Sequence, residues 1–310
     1  MKSSNIGGQA VLEGIMMKNG KDYAVAVRKP DKEIEVKKDE YRSFIKWEKL
    51  TKIPFIRGIF NFIDSMVLGM KTLTYSASFY EEEETSRVLT EEEAKKQEKK
   101  ENVLMGITVA VSIVLAMGIF MVLPYFISGL FDKVISSRFI KSVIEGLIRI
   151  AIFIGYILLI SRMKDIQRVF MYHGAEHKCI NCIEHGLELN VENVRKSSKQ
   201  HKRCGTSFLF FVLFVSIIVC LFITVESPVL RVGLRIALIP LIAGISYGMI
   251  RLAGNSDNLV VELLSKPGLA LQNLTTKEPE DDMIEVAIKA VEEVFDWKEY
   301  LRENFGADVR

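Results

Sequence analysis

The stretch VLMGITVAVSIVLAMGIFMVLPYFISGLF, residues 103–131, contains no charged residue. A run of about 20 apolar residues is enough to cross a bilayer as a helix. With 49% of its 310 residues hydrophobic and a formal net charge of +2, the composition suits soluble domains or a membrane protein carrying soluble parts. The distribution decides for the membrane. Three further apolar runs, 143–160, 207–225 and 232–253, bring the expected number of crossings to four.

Orientation follows from Lys and Arg in the short loops. The 162–206 loop carries nine of them, against three between the first two spans (Lys133, Arg138, Lys141) and one between the last two (Arg231). That loop is expected on the cytoplasmic side, and four spans then place both termini there, in a multi-pass membrane protein. The opening MKSSNIGGQAVLEG lacks a basic segment followed by an apolar core, so no cleaved signal peptide is expected. Beside a reducing compartment, the four cysteines read as thiols or metal ligands and not as disulfides.

The expected fold is a mainly α polytopic membrane protein with four transmembrane helices, a small N-terminal β-meander, an interfacial amphipathic helix and a cytoplasmic C-terminal helix. Residues 1–50 hold the meander: QAVLEGIMM, YAVAVRK and EIEVKK have mixed or alternating apolar character, separated by the turn-forming NGKD and KPDK. Residues 51–102 combine the amphipathic helix, whose Arg57, Asn61 and Asp64 fall on one helical face, with a charged linker. The transmembrane domain spans 103–253 and includes the loop 162–206. In 254–310, Pro279 marks a helix start, and Ile284, Ala287, Ile288, Val291, Val294 and Phe295 form an apolar stripe expected to pack on the protein's own core.

All four histidines, His173, His177, His185 and His201, lie within this one loop, together with Cys179, Cys182 and Cys204. His173, Glu176 and His177 spell H-x-x-E-H. On a helix the two imidazoles share a face and suit one metal ion, zinc or another divalent transition metal, with Glu176 as general base. A third ligand would come from Glu184, His185, His201 or Cys204. The same residues allow another reading: Cys179-x-x-Cys182 followed by His201-x-x-Cys204 has the spacing of a closed structural Cys₃His zinc site. In a third reading the histidines only form hydrogen bonds or titrate.

GGQAVLEGIMM, YAVAVRKPD, RGIFNFIDSMVLGMK, YHGAEHKCIN, VENVRK, RCGTSF, AGISYGMIRLAG and PGLALQNLTTKEP, in unbroken order from about residue 6 to about 290, resemble the YqhQ-like family of bacterial membrane proteins. That family is a domain of unknown function, described as predicted metal-dependent enzymes. The resemblance places its motif on His173, Glu176, His177, Glu184, His201 and Cys204, with Glu13 near the start; Cys179 and Cys182 stand outside it. It thereby implies a metal site with His173, His177 and His201 or Cys204 as ligands, and leaves Glu184, Glu13, Cys179 and Cys182 as further candidates.

Three functional expectations result. The first is a metal-dependent hydrolase at the cytoplasmic face, acting on a peptide, a membrane-protein tail or a lipid headgroup, with membrane lipid as its setting. The second is a non-catalytic membrane-protein biogenesis factor that docks a translocon or ribosome through its basic loop. The third is a His/Cys cluster that merely staples the loop. With neither G-x-x-x-x-G-K-[ST] nor G-x-G-x-x-G after a strand, no nucleotide cofactor is expected.

Overall fold

A computed structural model describes residues 2–43, 56–80, 91–131, 133–223, 225, 227–255 and 258–307. The chain forms two compact units. One gathers Met1–Tyr80, Ile157–Val215 and Ile239–Arg310; the other gathers Glu81–Tyr156 and Ser216–Leu238.

The first unit is built on a four-stranded antiparallel sheet in the order β1-β2-β3-β4, comprising β1 (Gly7–Val11), β2 (Gly14–Asn19), β3 (Asp22–Arg28) and β4 (Ile34–Glu40). The NGKD and KPDK turns fall where expected. QAVLEGIMM, expected as one strand, is instead a hairpin: Val11 pairs with Gly14 across Leu12 and Glu13, and Glu13 takes a left-handed φ of 48°. No Asn-Gly or Asp-Gly pair announces this turn.

Side chains alternate across the sheet, as a period of two requires. Ile15, Met17, Ala24 and Ala26 face one way, into a core shared with α5 (Lys164–Glu184) and α11 (Asp281–Val294). Val11, Met16, Tyr23, Val25 and Val27 face the other way, onto Leu68 of α1 (Ile56–Ala77). The α11 stripe packs as expected: Ile284, Ala287, Val291 and Val294 are buried in the core, with Ile288 and Phe295 at its margin. The helix begins at Asp281, after Pro279, with Asp281 and Asp282 in its first turn, where the helix dipole favours acids.

Helix α1 turns its polar residues inward. Asn61 donates to the Tyr247 hydroxyl of α9 (Ile239–Asn255) at 3.0 Å, and Asp64 accepts from Tyr41 at 2.9 Å. Met66, Val67, Met70 and Leu73 are exposed. Arg57's side chain, part of the expected polar face, lies outside the described residues.

The second unit holds the long apolar run. Helix α2 (Glu91–Met117) carries the second half of the charged linker straight into it; residues 81–90 of that linker lie outside the described residues. A π turn at Gly118–Val122 links α2 to α3 (Leu123–Gly129). It sits just before Pro124, which cannot donate an i→i−4 bond. Helix α4 (Arg138–Ile160) follows.

The number of membrane-crossing helices departs from four. Val103–Gly129 and Phe139–Ile160 are long and apolar enough; Val229–Ala237 and Ile239–Gly254 qualify only as a pair, bent by 41°. Helix α7 (Gly205–Leu221), the third expected span, has 17 residues. At 1.5 Å per residue it reaches roughly 25 Å against a hydrocarbon core of about 30 Å. The fourth is split into α8 (Pro228–Ala237) and α9 because Pro240 removes a helix hydrogen bond and clashes with the preceding turn. Two to three helices therefore meet the requirement.

Candidate metal centre

Helix α5 carries the H-x-x-E-H motif within its buried C-terminal half. At about 100° per residue, His173 and His177 stand about 40° apart around the helix axis, whereas Cys182 lies about 180° from His173. Gly174 lets another segment approach: a Cβ there would stand 2.0 Å from the Lys277 carbonyl oxygen. That segment ends α10 (Leu259–Thr275) and leads toward α11.

The next residues of α5 clamp the following loop. Lys178 Nζ donates to the carbonyls of Arg195 (2.9 Å) and Ser197 (2.8 Å) and pairs with Glu278 at 2.9 Å. Asn181 Nδ2 donates to the carbonyls of Ser198 (2.7 Å) and Gln200 (2.9 Å). Buried polar heads are thus fully matched to backbone acceptors, and the chain emerging from the clamp at residue 201 is fixed.

Its course is held from the other side by Gln272 of α10, which is fully buried. Gln272 Oε1 accepts from the His201 N–H at 2.9 Å, and Nε2 donates to the His201 carbonyl and to Ser207 Oγ, both at 2.8 Å. The side-chain amide therefore pairs with a peptide group. Cys204 follows immediately before α7, and the Thr206 N–H donates to Cys204 Sγ at 3.3 Å.

These constraints bring His173, His177 and Cys204 together, with one donor atom of each within 4.8 Å of the others. Cys204 Sγ stands 3.3 Å from His173 Nε2. His173 Nδ1 lies 3.0 Å from the Thr275 carbonyl and His177 Nδ1 lies 2.6 Å from the Lys199 carbonyl. A carbonyl only accepts, so each Nδ1 carries the proton, and each Nε2 keeps its lone pair for the centre. This is the outer arrangement that orients metal-binding imidazoles. Tetrahedral zinc with Zn–N of about 2.0 Å and Zn–S of about 2.3 Å would place its ligand atoms roughly 3.3 to 3.6 Å apart. The 3.3 Å from Cys204 Sγ to His173 Nε2 matches that spacing, and with all three ligand atoms within 4.8 Å of one another the set would leave one coordination position open.

Glu176 is beside them, 5% exposed, its Oε1 accepting from the Gly8 N–H of β1 at 3.0 Å. Gly8 is needed there, because a Cβ would meet the Met16 carbonyl at 2.5 Å and Glu176 Cγ at 3.1 Å. Burial raises the Glu176 carboxyl above the usual range, opposed by nearby His173 and by the Gly8 hydrogen bond. A cavity of about 120 Å³ opens here, lined by His173, Glu176, His177, His201, Cys204 and the backbone of Gly7 and Gly8 among others.

His201, a candidate ligand, lines the cavity but faces Glu184, with Nε2 3.4 Å from Glu184 Oε2; burial chiefly pushes its imidazole down to about 4. Burial would raise the Glu184 carboxyl, yet hydrogen bonds from His201 and Arg203 and the backbone donor of Ser4 hold it at about 2. Glu184 Oε1 accepts from Arg203 Nη2 at 2.5 Å and from the Ser4 N–H and hydroxyl at 2.7 Å each. Glu184 thus fastens the N-terminal segment to the end of α5 and is not placed as a ligand.

Glu13 is likewise engaged elsewhere: both its oxygens bind Arg168, and Tyr172 donates to it at 3.3 Å. His185 Nδ1 donates to the Asn181 carbonyl at 2.7 Å, closing the end of α5. Cys179 and Cys182 are buried in the sheet–α5–α11 core, apart from Cys204; the Cys182 thiol points to the Glu188 carbonyl at 3.4 Å. Burial raises Cys179 well above the usual thiol range and Cys182 to about 11. The Cys₃His arrangement is not assembled, because the helical period sends Cys182 to the face opposite the histidines.

Sequence reading missed Gln272, Thr275 and Gly174. The first two act across 71 and 102 residues of chain, and a lone glutamine and a backbone carbonyl carry no motif. Gly174 had a signal, a helix-interior glycine between two candidate ligands.

The family model described as "Protein of unknown function (DUF1385)" matches residues 53–297. "Uncharacterized protein YqhQ" of Bacillus subtilis (strain 168) is 37% identical over 297 residues, covering 93% of this chain and 91% of that protein. No solved structure matches significantly. With the family model covering most of its length and this relative nearly all of it, the chain belongs to the YqhQ-like DUF1385 family.

Proposed function

We propose that this protein is a metal-dependent hydrolase of the inner membrane, working at the cytoplasmic face. The observation that carries the reading is the pairing of two lone-pair nitrogens, His173 Nε2 and His177 Nε2, with Cys204 Sγ while both Nδ1 atoms are committed to backbone carbonyls. A divalent transition metal, zinc by preference of this donor set, would supply Lewis acidity and a water of lowered pKa. His173, His177 and Cys204 would bind it. Glu176 would act as general base: the Gly8 N–H fixes Oε1, so Oε2 takes the proton, and burial keeps the carboxyl a better proton acceptor than an exposed one.

The membrane setting completes the reading. In this reading the bent α8–α9 pair and the short α7 would add two crossings to the two long apolar helices, with both termini and the 162–206 loop cytoplasmic. A centre at that boundary suits a peptide, a membrane-protein tail or a lipid headgroup. Elemental analysis of the purified protein, with complementation of a deletion strain by Glu176→Gln, tests it. One metal per chain, retained in a variant that fails to complement, is the expected result. Wild-type complementation by Glu176→Gln overturns the hydrolase.

A further inference from the structure

The second unit hides an ionised cluster among its apolar helices. Glu145 and Arg149 lie one turn apart on α4, and Arg235 lies in the last turn of α8; each is at most 6% exposed. Glu145 Oε1 accepts from Arg149 Nη2 at 3.1 Å, and Oε2 accepts from Arg235 Nη2 at 2.8 Å. Arg149 Nη1 donates to Ser216 Oγ at 3.1 Å. One turn before Arg235, Arg231 donates through Nε and Nη2 to the Val225 carbonyl. The Tyr125 ring lies against both, its centroid 5.4 Å from Arg231 Cζ and 5.9 Å from Arg235 Cζ.

The charges do not balance. One carboxylate meets two guanidinium groups, with a third, that of Arg231, one turn away, and arginine does not escape by losing its proton. The hydrogen bonds do not balance either: Arg235 Nη1 lies 2.6 Å from Glu145 Oε1, yet Arg149 Nε and Arg235 Nε have no acceptor among the described residues, although both side chains are more than nine-tenths buried. Buried donors are nearly always satisfied, and ionised groups inside a bilayer mark sites with a partner. Pinning α4 to α8 needs only Glu145 and one arginine. Surplus guanidinium groups would add desolvation cost to such a pin without adding a bond.

We propose that Arg149, Arg231 and Arg235 form a binding site for a phosphate-bearing anion, with Glu145 holding two of the guanidinium groups apart. Guanidinium forks match phosphate oxygens in geometry and charge. The same chemistry is offered by a phospholipid headgroup and by inorganic phosphate. The exposed apolar side chains of Leu147 on α4 and of Val229 and Leu230 on α8 give acyl chains a surface on the same two helices.

The test uses the full chain in a neutral detergent, with thermal midpoint and native mass spectrometry as readouts. The added probes are phosphatidylglycerol, diacylglycerol, which lacks the phosphate, and inorganic phosphate. Phosphatidylglycerol should raise the midpoint by several degrees and remain bound in the gas phase, and diacylglycerol should do neither. An equal shift with inorganic phosphate alone supports the anion site and assigns it to the soluble ion. Arg231→Gln gives up a guanidinium held by a backbone carbonyl and the face of the Tyr125 ring, so it should largely keep the ligand-free midpoint and weaken phosphatidylglycerol binding at least tenfold. Equal responses to phosphatidylglycerol and diacylglycerol, with none to phosphate, overturn the proposal. Wild-type affinity in Arg231→Gln, or in Arg149→Gln if that variant folds, overturns it as well.

Discussion

Cys204 Sγ and His173 Nε2 stand 3.3 Å apart although 31 residues separate them in the chain. Nothing local creates this proximity. It is set by Lys178 and Asn181 gripping the loop from one side and by Gln272 gripping it from the other. A site so constrained should survive many changes nearby and fail on a few.

The ligand set is the first expectation. His173→Ala, His177→Ala and Cys204→Ser should each reduce bound metal at least tenfold, since losing one of three protein ligands removes a large share of the affinity. Cys182→Ser should keep the wild-type metal content, because its sulfur lies in the sheet–helix core. Elemental analysis decides it, and loss of metal in Cys182→Ser would restore the Cys₃His arrangement.

Glu176 separates chemistry from packing. In Glu176→Gln the amide oxygen still accepts the Gly8 N–H, so stability should change by less than about 1 kcal/mol. In Glu176→Ala that buried N–H loses its acceptor, at a cost of roughly 1–3 kcal/mol. Thermal midpoints should therefore rank wild type and Gln together above Ala. Equal midpoints for Gln and Ala would mean that the Gly8 contact holds nothing.

Gly174→Ala should be damaging at a distance. The new Cβ would collide with the Lys277 carbonyl and push away the segment whose Thr275 oxygen orients His173. Overpacking of this kind costs about 1–3 kcal/mol. Lower metal content should accompany the fall in midpoint. A variant with wild-type values of both would show that the approach of α5 to this segment is not tight.

Acid should weaken the N-terminal attachment through Glu184. Its carboxyl sits at about 2 in the folded chain, below the value of about 4.3 for a free glutamate. A depressed carboxylate contributes stability that is fully present above the unfolded value and disappears as pH falls through the folded one. The midpoint should therefore drop as pH goes from about 4.5 toward 2, and the drop should shrink in Glu184→Gln. Parallel pH profiles for the two proteins would remove Glu184 as the cause.

Much of this molecule was legible in residue patterns, and the failures have physical causes. Apolar segments between turn-forming residues marked the meander, and the 3.6 period gave the α11 stripe and the shared face of His173 and His177. The Leu12–Glu13 hairpin escaped because its left-handed residue is a glutamate. The runs at 207–225 and 232–253 came out as a 17-residue helix and a bent pair, because apolarity was visible while helix length and the break before Pro240 were not. His201 and Cys204 were equivalent by spacing; only the fold shows that His201 turns to Glu184 and Cys204 to His173.

The pairing of Gln272 with the peptide of His201 separates the loop's course from the side chain at that position. A side-chain amide that grips main-chain atoms is indifferent to which residue occupies that place, so the loop's path is secured without any help from the imidazole. Replacing the imidazole at 201 should therefore release Glu184 and loosen the start of the chain without displacing the cysteine three residues on.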